Sequence, residues 1–202
     1  MIESLSDRRR RLLRDEIASI AIDLFARHGY DSVTVEDIAE ASGTSQRTFF
    51  RYFASKDDVV LDLLRRLDDR LLAAVRARPA EEGPVTALRE GYRATSTVEP
   101  ADRSRVLAFA AVLAHAPTLR ARARGERVDD NPALIEHLAG RLGADRDDRR
   151  IMCVAAAMSA VASAEFQSWA NSGGRGDPSD RIVESLALLE RGLQTLDQAA
   201  TS

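Results

Sequence analysis

Apolar residues recur along this chain at helical spacing, and no stretch alternates as a half-buried strand would. Ile17, Ile20, Ala21, Leu24 and Phe25 fall at i, i+3, i+4, i+7 and i+8, which predicts a long amphipathic first helix. Residues 1–7 read as frayed, Ser6 or Asp7 supplies the cap, and Gly29 stops the helix. Val35, Ile38 and Ala39 stripe a short second helix, opened by the capping-box pair Thr34 and Asp37. Ser42, Gly43 and Thr44 break it, Gly43 supplying left-handed backbone at low cost. Ser45 caps a third helix, on which Phe49 and Phe53 share a face. Ser55 and Asp58 repeat the capping signature for a long helix from Lys56. Val60, Leu64, Leu67, Leu71 and Val75 are its inward stripe, and Pro79 ends it.

The run Pro79 to Pro84 is the clearest compositional break. After it, Val85, Leu88 and Tyr92 mark a short helix that ends in a Ser/Thr-rich turn before Pro100. Residues 101–115 form another, with Val106, Phe109, Ala110 and Leu113 inward and Pro117 closing it. From Pro117 to Leu142 the pattern is helical but interrupted at Gly125 and again at Asn131-Pro132. Asn131 caps the resumed helix, striped by Leu134, Ile135, Leu138 and Leu142. A helix from Arg149 to Asn171 is dominated by small residues, and a last one runs from Asp177-Pro178 to about Leu196. The expectation is an all-α fold of about nine helices.

Composition narrows the function. With 202 residues, 45% hydrophobic and 30% charged, the chain has the make-up of an ordinary globular protein with a real core. A net charge of -3 argues against a general nucleic-acid coating protein, so any positive surface must be local. Cys153 is the only cysteine, which leaves no intramolecular disulfide and no cysteine-rich metal site; its neighbours suggest a buried structural thiol. The N-terminus is charged where a signal peptide would be apolar, and the run Ile151 to Ala164 falls short of the roughly 18 residues a membrane span needs. The expected location is the cytoplasm.

Two short helices around a glycine turn suit a helix-turn-helix, whose second helix enters the DNA major groove. That second helix carries Gln46, Arg47, Thr48, Arg51 and Tyr52, and no acidic residue occurs from Ser45 to Lys56. Arginine bonds guanine bidentately, glutamine bonds adenine, and hydroxyls or Lys56 hold phosphate. Taken alone, the same residues also describe a plain helical hairpin with a solvated polar face. Arg8 to Arg11 are open to two readings, a solvated helix start or a basic arm on phosphate and minor groove. Asp15, Glu16 and Asp23 are expected to face away from DNA.

The string from Gly43 to Val60, GTSQRTFFRYFASKDDVV, resembles the signature of the TetR family of bacterial transcriptional regulators. The matching positions are Gly29, Tyr30, Thr34, Ile38, Ala39, Gly43, Ser45, Thr48, Phe49, Tyr52, Phe53 and Lys56. Thr44 stands where valine is common and Phe50 where tyrosine is common, so the tyrosine's hydroxyl contact to the DNA backbone is lost here. The resemblance is specific over residues 10–70 and architectural beyond. It implies a DNA-binding domain at 10–70 and a ligand-binding and dimerisation domain at 71–202. On the DNA side it implies Thr34, Thr44, Ser45, Gln46, Arg47, Thr48, Phe50, Arg51, Tyr52 and Lys56. Arg47 is the expected base reader, with Gln46 beside it.

The resemblance also implies pairing through the last two helices. Ala155, Ala156, Ala160 and Ala164 would permit close approach, with Ile182, Leu186, Leu189, Leu193 and Leu196 as the apolar face; an ordinary intramolecular hairpin is the plainer alternative. Candidate pocket residues are Tyr92, Phe109, Leu113, His115, His137, Met158, Phe166 and Trp169, although apolar residues at helical spacing are more often core. The variant TSQRTFFRYF, together with a low-aromatic helical body, resembles an actinobacterial, acyl-CoA-sensing, MftR-like subgroup, and Arg103, Arg105, Arg120, Arg122 and Arg124 are candidates for a CoA phosphate. His115 and His137 imply no metal set, and no cofactor is expected.

The implied function is a homodimeric repressor released from a palindromic operator by a small apolar or acyl-CoA-like effector. Its partners would be double-stranded DNA, a second copy and that effector, with no membrane. The alternatives are an all-helical enzyme or ligand carrier, against which no paired carboxylates or Ser-His-Asp set stands out, and an architectural DNA-binding protein without effector. Gly173 to Gly176 follows a helix rather than a strand and is no phosphate loop. The tripeptide Arg175-Gly176-Asp177 is a chance match.

Overall fold

The computed structural model describes residues 4–115, Leu119 and 131–199. Among them are nine α-helices and no strand. They are α1 (Leu5–His28), α2 (Val35–Ala41), α3 (Gln46–Tyr52), α4 (Lys56–Arg76), α5 (Pro84–Ser96), α6 (Arg103–His115), α7 (Pro132–Gly140), α8 (Arg149–Asn171) and α9 (Pro178–Ala199). They form two compact units. The break falls inside α4, between Arg66 and Leu67, and α6 belongs to the first unit although it follows α5 in sequence. Residues 101–124 thus join the first unit, whereas the sequence reading assigns all of 71–202 to one C-terminal domain.

In the first unit, α1 starts earlier than the apolar pattern suggests. Ser4, not Ser6 or Asp7, is its N-cap, the hydroxyl accepting from the Asp7 amide at 3.1 Å. Arg8 to Arg11 are therefore helical and exposed rather than an extended arm. The buried face of α1 is Ile17, Ala18, Ala21, Ile22 and Phe25, while Ile20 and Leu24 are half-buried. Both sets obey helical spacing, so periodicity alone did not fix which side turns inward. These residues pack with Ile38, Phe49, Phe53, Val59, Val60, Leu61, Leu64 and, from α6 and beyond, Val112 and Leu119.

The second unit is built on Leu71, Leu72 and Val75 of α4. Ala87 and Leu88 of α5, Leu134 and Leu138 of α7, Ile151 and Met158 of α8, and Ile182 and Leu186 of α9 complete it. Gly91 permits the tightest approach: a Cβ there would lie 2.5 Å from Val75 Cγ2. Asn131 caps α7 as expected, its side chain accepting from the Leu134 amide at 3.0 Å. Two stripes are corrected. Leu67 is only half-buried, and α7 ends at Gly140, which leaves Leu142 on the surface. The expected breaks at Pro117 and Gly125 lie outside the described residues.

The last two helices differ most from expectation. On α8 the inward residues are Ile151, Met158, Ala162 and Trp169. Cys153 lies two residues from Ile151, about 200° round the helix, and is exposed rather than buried. The outward side of α8 is apolar and small, with Met152, Ala156, Ala157, Ala160 and Ala164 exposed. By length and composition alone α8 is long and apolar enough to cross a membrane, because the helix extends past both ends of the run from Ile151 to Ala164. On α9, Ile182 and Leu186 are buried within the chain itself and Leu189 packs against the same core, so they are not an outward pairing face. Leu188, between them in sequence, is exposed. The side chains of Leu193 and Leu196 lie outside the described residues.

Candidate nucleic-acid interface

The helix-turn-helix is assembled from local hydrogen bonds that the sequence encodes. Thr34 Oγ1 accepts from the Asp37 amide at 3.2 Å, and Asp37 Oδ2 accepts from the Thr34 amide at 2.8 Å, closing the capping box. Hydrogen bonds from the Thr34 hydroxyl and amide hold the Asp37 carboxyl below the usual carboxylate range. Gly43 takes φ 61° in the turn, and the Thr44 amide reaches back to the Ala39 carbonyl at 2.8 Å. Ser42 Oγ donates to the Ile38 carbonyl at 2.7 Å and lies 3.1 Å from Thr44 Oγ1. Thr44 thus places a hydroxyl in the turn where valine could not. Ser45 then caps α3, accepting from the Thr48 amide at 3.1 Å.

Seven residues make one face of α3 inward and the other outward. Phe49 is fully buried, its ring centroid 5.7 Å from that of Phe53 and 5.6 Å from that of Phe50. Gln46, Arg47, Phe50 and Arg51 are exposed, with Thr48 and Tyr52 half-buried. Arg51 stacks over the Tyr52 ring at 5.1 Å. Phe50 is 53% exposed, an apolar side chain held on an otherwise polar, cationic face. The outward side of α3 therefore offers an amide, two guanidiniums, hydroxyls and one aromatic ring, a set suited to base edges and phosphates.

Lys56 departs from its expected role. Its ammonium donates to the carbonyls of Tyr30 at 2.8 Å, Val33 at 3.0 Å and Asp31 at 3.3 Å, and sits over the Tyr30 ring. Three carbonyls account for three N–H donors, so the side chain clamps the connection between α1 and α2 rather than pointing at phosphate. A second support was not foreseen. Arg14 Nη2 bonds Asp62 Oδ1 at 2.6 Å, Arg66 pairs with both Asp62 and Asp15, and the Arg14 guanidinium covers the Phe53 ring at 4.9 Å. Asp62 and Arg66 at i, i+4 carried a sequence signal for part of this network. Their partners on α1 carried none.

The expected pocket residues do not converge. Phe109 and Leu113 pack against the core of the first unit, whereas Tyr92, Met158 and Phe166 belong to that of the second. Trp169 is fully buried, and its Nε1 donates to the Gly176 carbonyl at 3.1 Å, which closes the connection between α8 and α9. Only His137 borders the open cleft of about 620 Å³ in the second unit, with Arg76, Arg78, Glu136 and Arg141. Arg105 pairs with Asp102 at 2.7 Å; Arg120, Arg122, Arg124 and the His115 side chain lie outside the described residues. Among the described residues no group of three His, Cys, Asp or Glu side chains could hold a metal ion.

Residues 17–63 match the model of the bacterial regulatory proteins of the tetR family, and residues 82–194 match the MftR C-terminal domain. The chain belongs to the TetR family. It is 36% identical over 174 residues to the helix-turn-helix transcriptional regulator TcmR of Streptomyces glaucescens, covering 80% of this chain and 76% of that one. It is 30% identical to the protein carrying the name mycofactocin biosynthesis transcriptional regulator MftR in Mycobacterium tuberculosis, over 97% of this chain and 98% of the other. Among solved structures, the TetR-family repressor FadR of Thermus thermophilus, in complex with lauroyl-CoA, superposes with a TM-score of 0.58 at 26% identity. That match covers 89% of this chain and 94% of FadR. This TetR-family protein is a DNA-binding transcriptional regulator, and α2, the Gly43 turn and α3 form its helix-turn-helix.

Proposed function

We propose that the protein is a homodimeric repressor that binds a palindromic operator and leaves it when a small apolar or acyl-CoA-like effector binds the second unit. The observation that carries the reading is the outward face of α3, where Gln46, Arg47 and Arg51 are exposed on a helix fixed from behind by buried Phe49. Arg47 reads a guanine edge with Gln46 beside it, and Phe50 offers apolar contact to a thymine methyl. Thr34, Thr44, Ser45, Thr48, Arg51 and Tyr52 position the helix on phosphate, partly through hydroxyls that also cap α2 and α3. Lys56 supports this surface from within.

Dimerisation is supported by the outward side of α8, whose exposed alanines allow another helix to approach closely. On α9, Leu188 is a further exposed apolar side chain. Two reading heads spaced by about one helical turn of DNA, 34–36 Å, would select an inverted repeat. The acyl-CoA class of effector is supported by the FadR structure, whose ligand is lauroyl-CoA. An effector releases DNA only through unequal affinity for the bound and free conformations. Light scattering of the protein on a fragment of its own upstream DNA tests the assembly, with two chains per inverted repeat expected. Addition of lauroyl-CoA is expected to dissociate that complex. One chain per site, or a complex indifferent to acyl-CoAs of every chain length, would overturn the corresponding part.

A further inference from the structure

The open cleft of the second unit has an electrostatic character that the effector reading does not use. It lies beside the C-terminal end of α4 and along α7, and it measures about 620 Å³, within the range of small-ligand sites. Ala80, Ala133 and Gly140 leave the space, and guanidiniums surround it. Arg141, just past α7, spends its Nη1 on the carbonyls of Pro79 at 2.7 Å and Glu82 at 3.0 Å. Its Nη2 serves Val75 at 2.9 Å and Arg78 at 3.1 Å. These bonds satisfy the last carbonyls of α4 and the loop beyond it, and they lock the guanidinium in place. They do not neutralise it, because every acceptor is a neutral carbonyl.

Among the described residues the other charges leave a positive balance: Arg78 pairs with Glu82, and Glu136 is the one carboxylate that lines the cleft. Arg76 is exposed and has no carboxylate partner among the described residues. His137 lies in the last turn of α7, four residues before Arg141, and its Nε2 is buried with no hydrogen-bond partner among the described residues. Burial first, then the nearby Arg141 and Arg76 charges, push its imidazole below the usual histidine range. Arg141 and Arg76 thus place positive charge beside His137 at this wall of the cleft.

We infer that this cleft binds a small, multiply charged oxyanion, with exposed Arg76 as the hydrogen-bonding cation, Arg141 as a fixed positive charge and His137 at its edge. The fork of Arg76 suits phosphate and carboxylate oxygens alike. Of the positions expected to hold an effector only His137 borders this site, and its existence does not depend on that reading. Only a consequence rests on it: an anion here would bridge the last turn of α4 to α7.

The protein has three histidines, so His137 can be followed by proton NMR after assignment with His137→Asn. The full chain is titrated, without DNA, with inorganic pyrophosphate and separately with citrate, at ionic strength held constant with sodium chloride. A saturable shift of the His137 signal is expected, with the imidazole pKa rising as the anion binds, because negative charge favours the imidazolium. Arg76→Gln should weaken binding by about tenfold or more, the loss of one charged hydrogen bond, while Arg175→Gln, exposed between α8 and α9 and outside the cleft lining, should not. A response to pyrophosphate alone, to citrate alone or to both supports the site and says which oxyanion it prefers. No saturable response to either, or an unchanged response in Arg76→Gln, overturns it. Neither result depends on whether the protein binds an operator.

Discussion

Lys56 Nζ lies 4.6 Å from the centroid of the Tyr30 ring and donates to the Tyr30 carbonyl oxygen at 2.8 Å. The only lysine of the chain is thus an internal clamp, tying the first residue of α4 to the connection that aims α2. Lys56→Met keeps the stem but strands three carbonyls and removes the cation from the ring. It should cost about 2–3 kcal/mol, read from urea unfolding. Because Lys56 is not counted as a phosphate contact, the salt dependence of DNA binding should keep its slope. A slope reduced by about one unit would restore the phosphate role.

The crossing of α5 on α4 depends on the missing side chain of Gly91. Gly91→Ala would place its Cβ 2.5 Å from Val75 Cγ2 and 3.2 Å from Leu71 Cδ1. The expected cost is about 1–3 kcal/mol of overpacking. Val75→Ala should relieve most of it, so that the double variant is more stable than the sum of the two changes. Strict additivity would mean that the helices simply move apart.

Asp148 gives the stability an acid-side signature. It caps α8, and its hydrogen bonds to the Arg150 side chain and amide lower its carboxyl to about 2. A carboxyl with a depressed folded pKa stabilises the fold above its unfolded value, near 4, and loses that contribution as pH falls towards the folded value. The thermal midpoint of Asp148→Asn should therefore trail that of the parent at neutral pH and converge with it between about pH 4 and pH 2. A gap that stays constant across that window would contradict the assignment.

Ala160 separates the two descriptions of the pairing face. It is exposed on α8, opposite the buried Met158 and Ala162 side, so Ala160→Glu adds no charge to the core of its own chain. Sedimentation should then show a folded monomer with weakened operator binding. A dimer that survives the substitution would place the interface elsewhere.

The sequence made the reading head legible because its signals are local. Thr34 with Asp37, Gly43, Ser45 and Ser55 with Asp58 each act within three or four residues, and all appear in the structure as expected. What periodicity could not decide was direction. Ile20 against Ala18, and Leu188 against Leu189, differ by a rotation about the helix axis that only packing partners determine. Lys56 differs from expectation for a related reason: in sequence a cation beside the helix-turn-helix resembles a phosphate contact, and only the fold brings the carbonyls of Tyr30, Asp31 and Val33 around it. Size and helical spacing, the only signals for the expected pocket residues, also describe core, and those residues are divided between two cores. The charge network of Arg14, Asp15, Asp62 and Arg66 joins residues about fifty positions apart, beyond any local pattern.

The central claim is that the outward face of α3 reads DNA sequence, and titration of a fluorescent upstream fragment tests it most directly. Wild-type protein and Arg47→Ala would be compared on that fragment and on random DNA at several salt concentrations. The wild type should favour its own fragment and weaken steeply with salt. Arg47→Ala should lose about 1–3 kcal/mol and relax preference at one base pair of each half-site, with random-DNA affinity reduced far less. Equal affinity of both proteins for the upstream fragment, with the same base preference, would contradict the account.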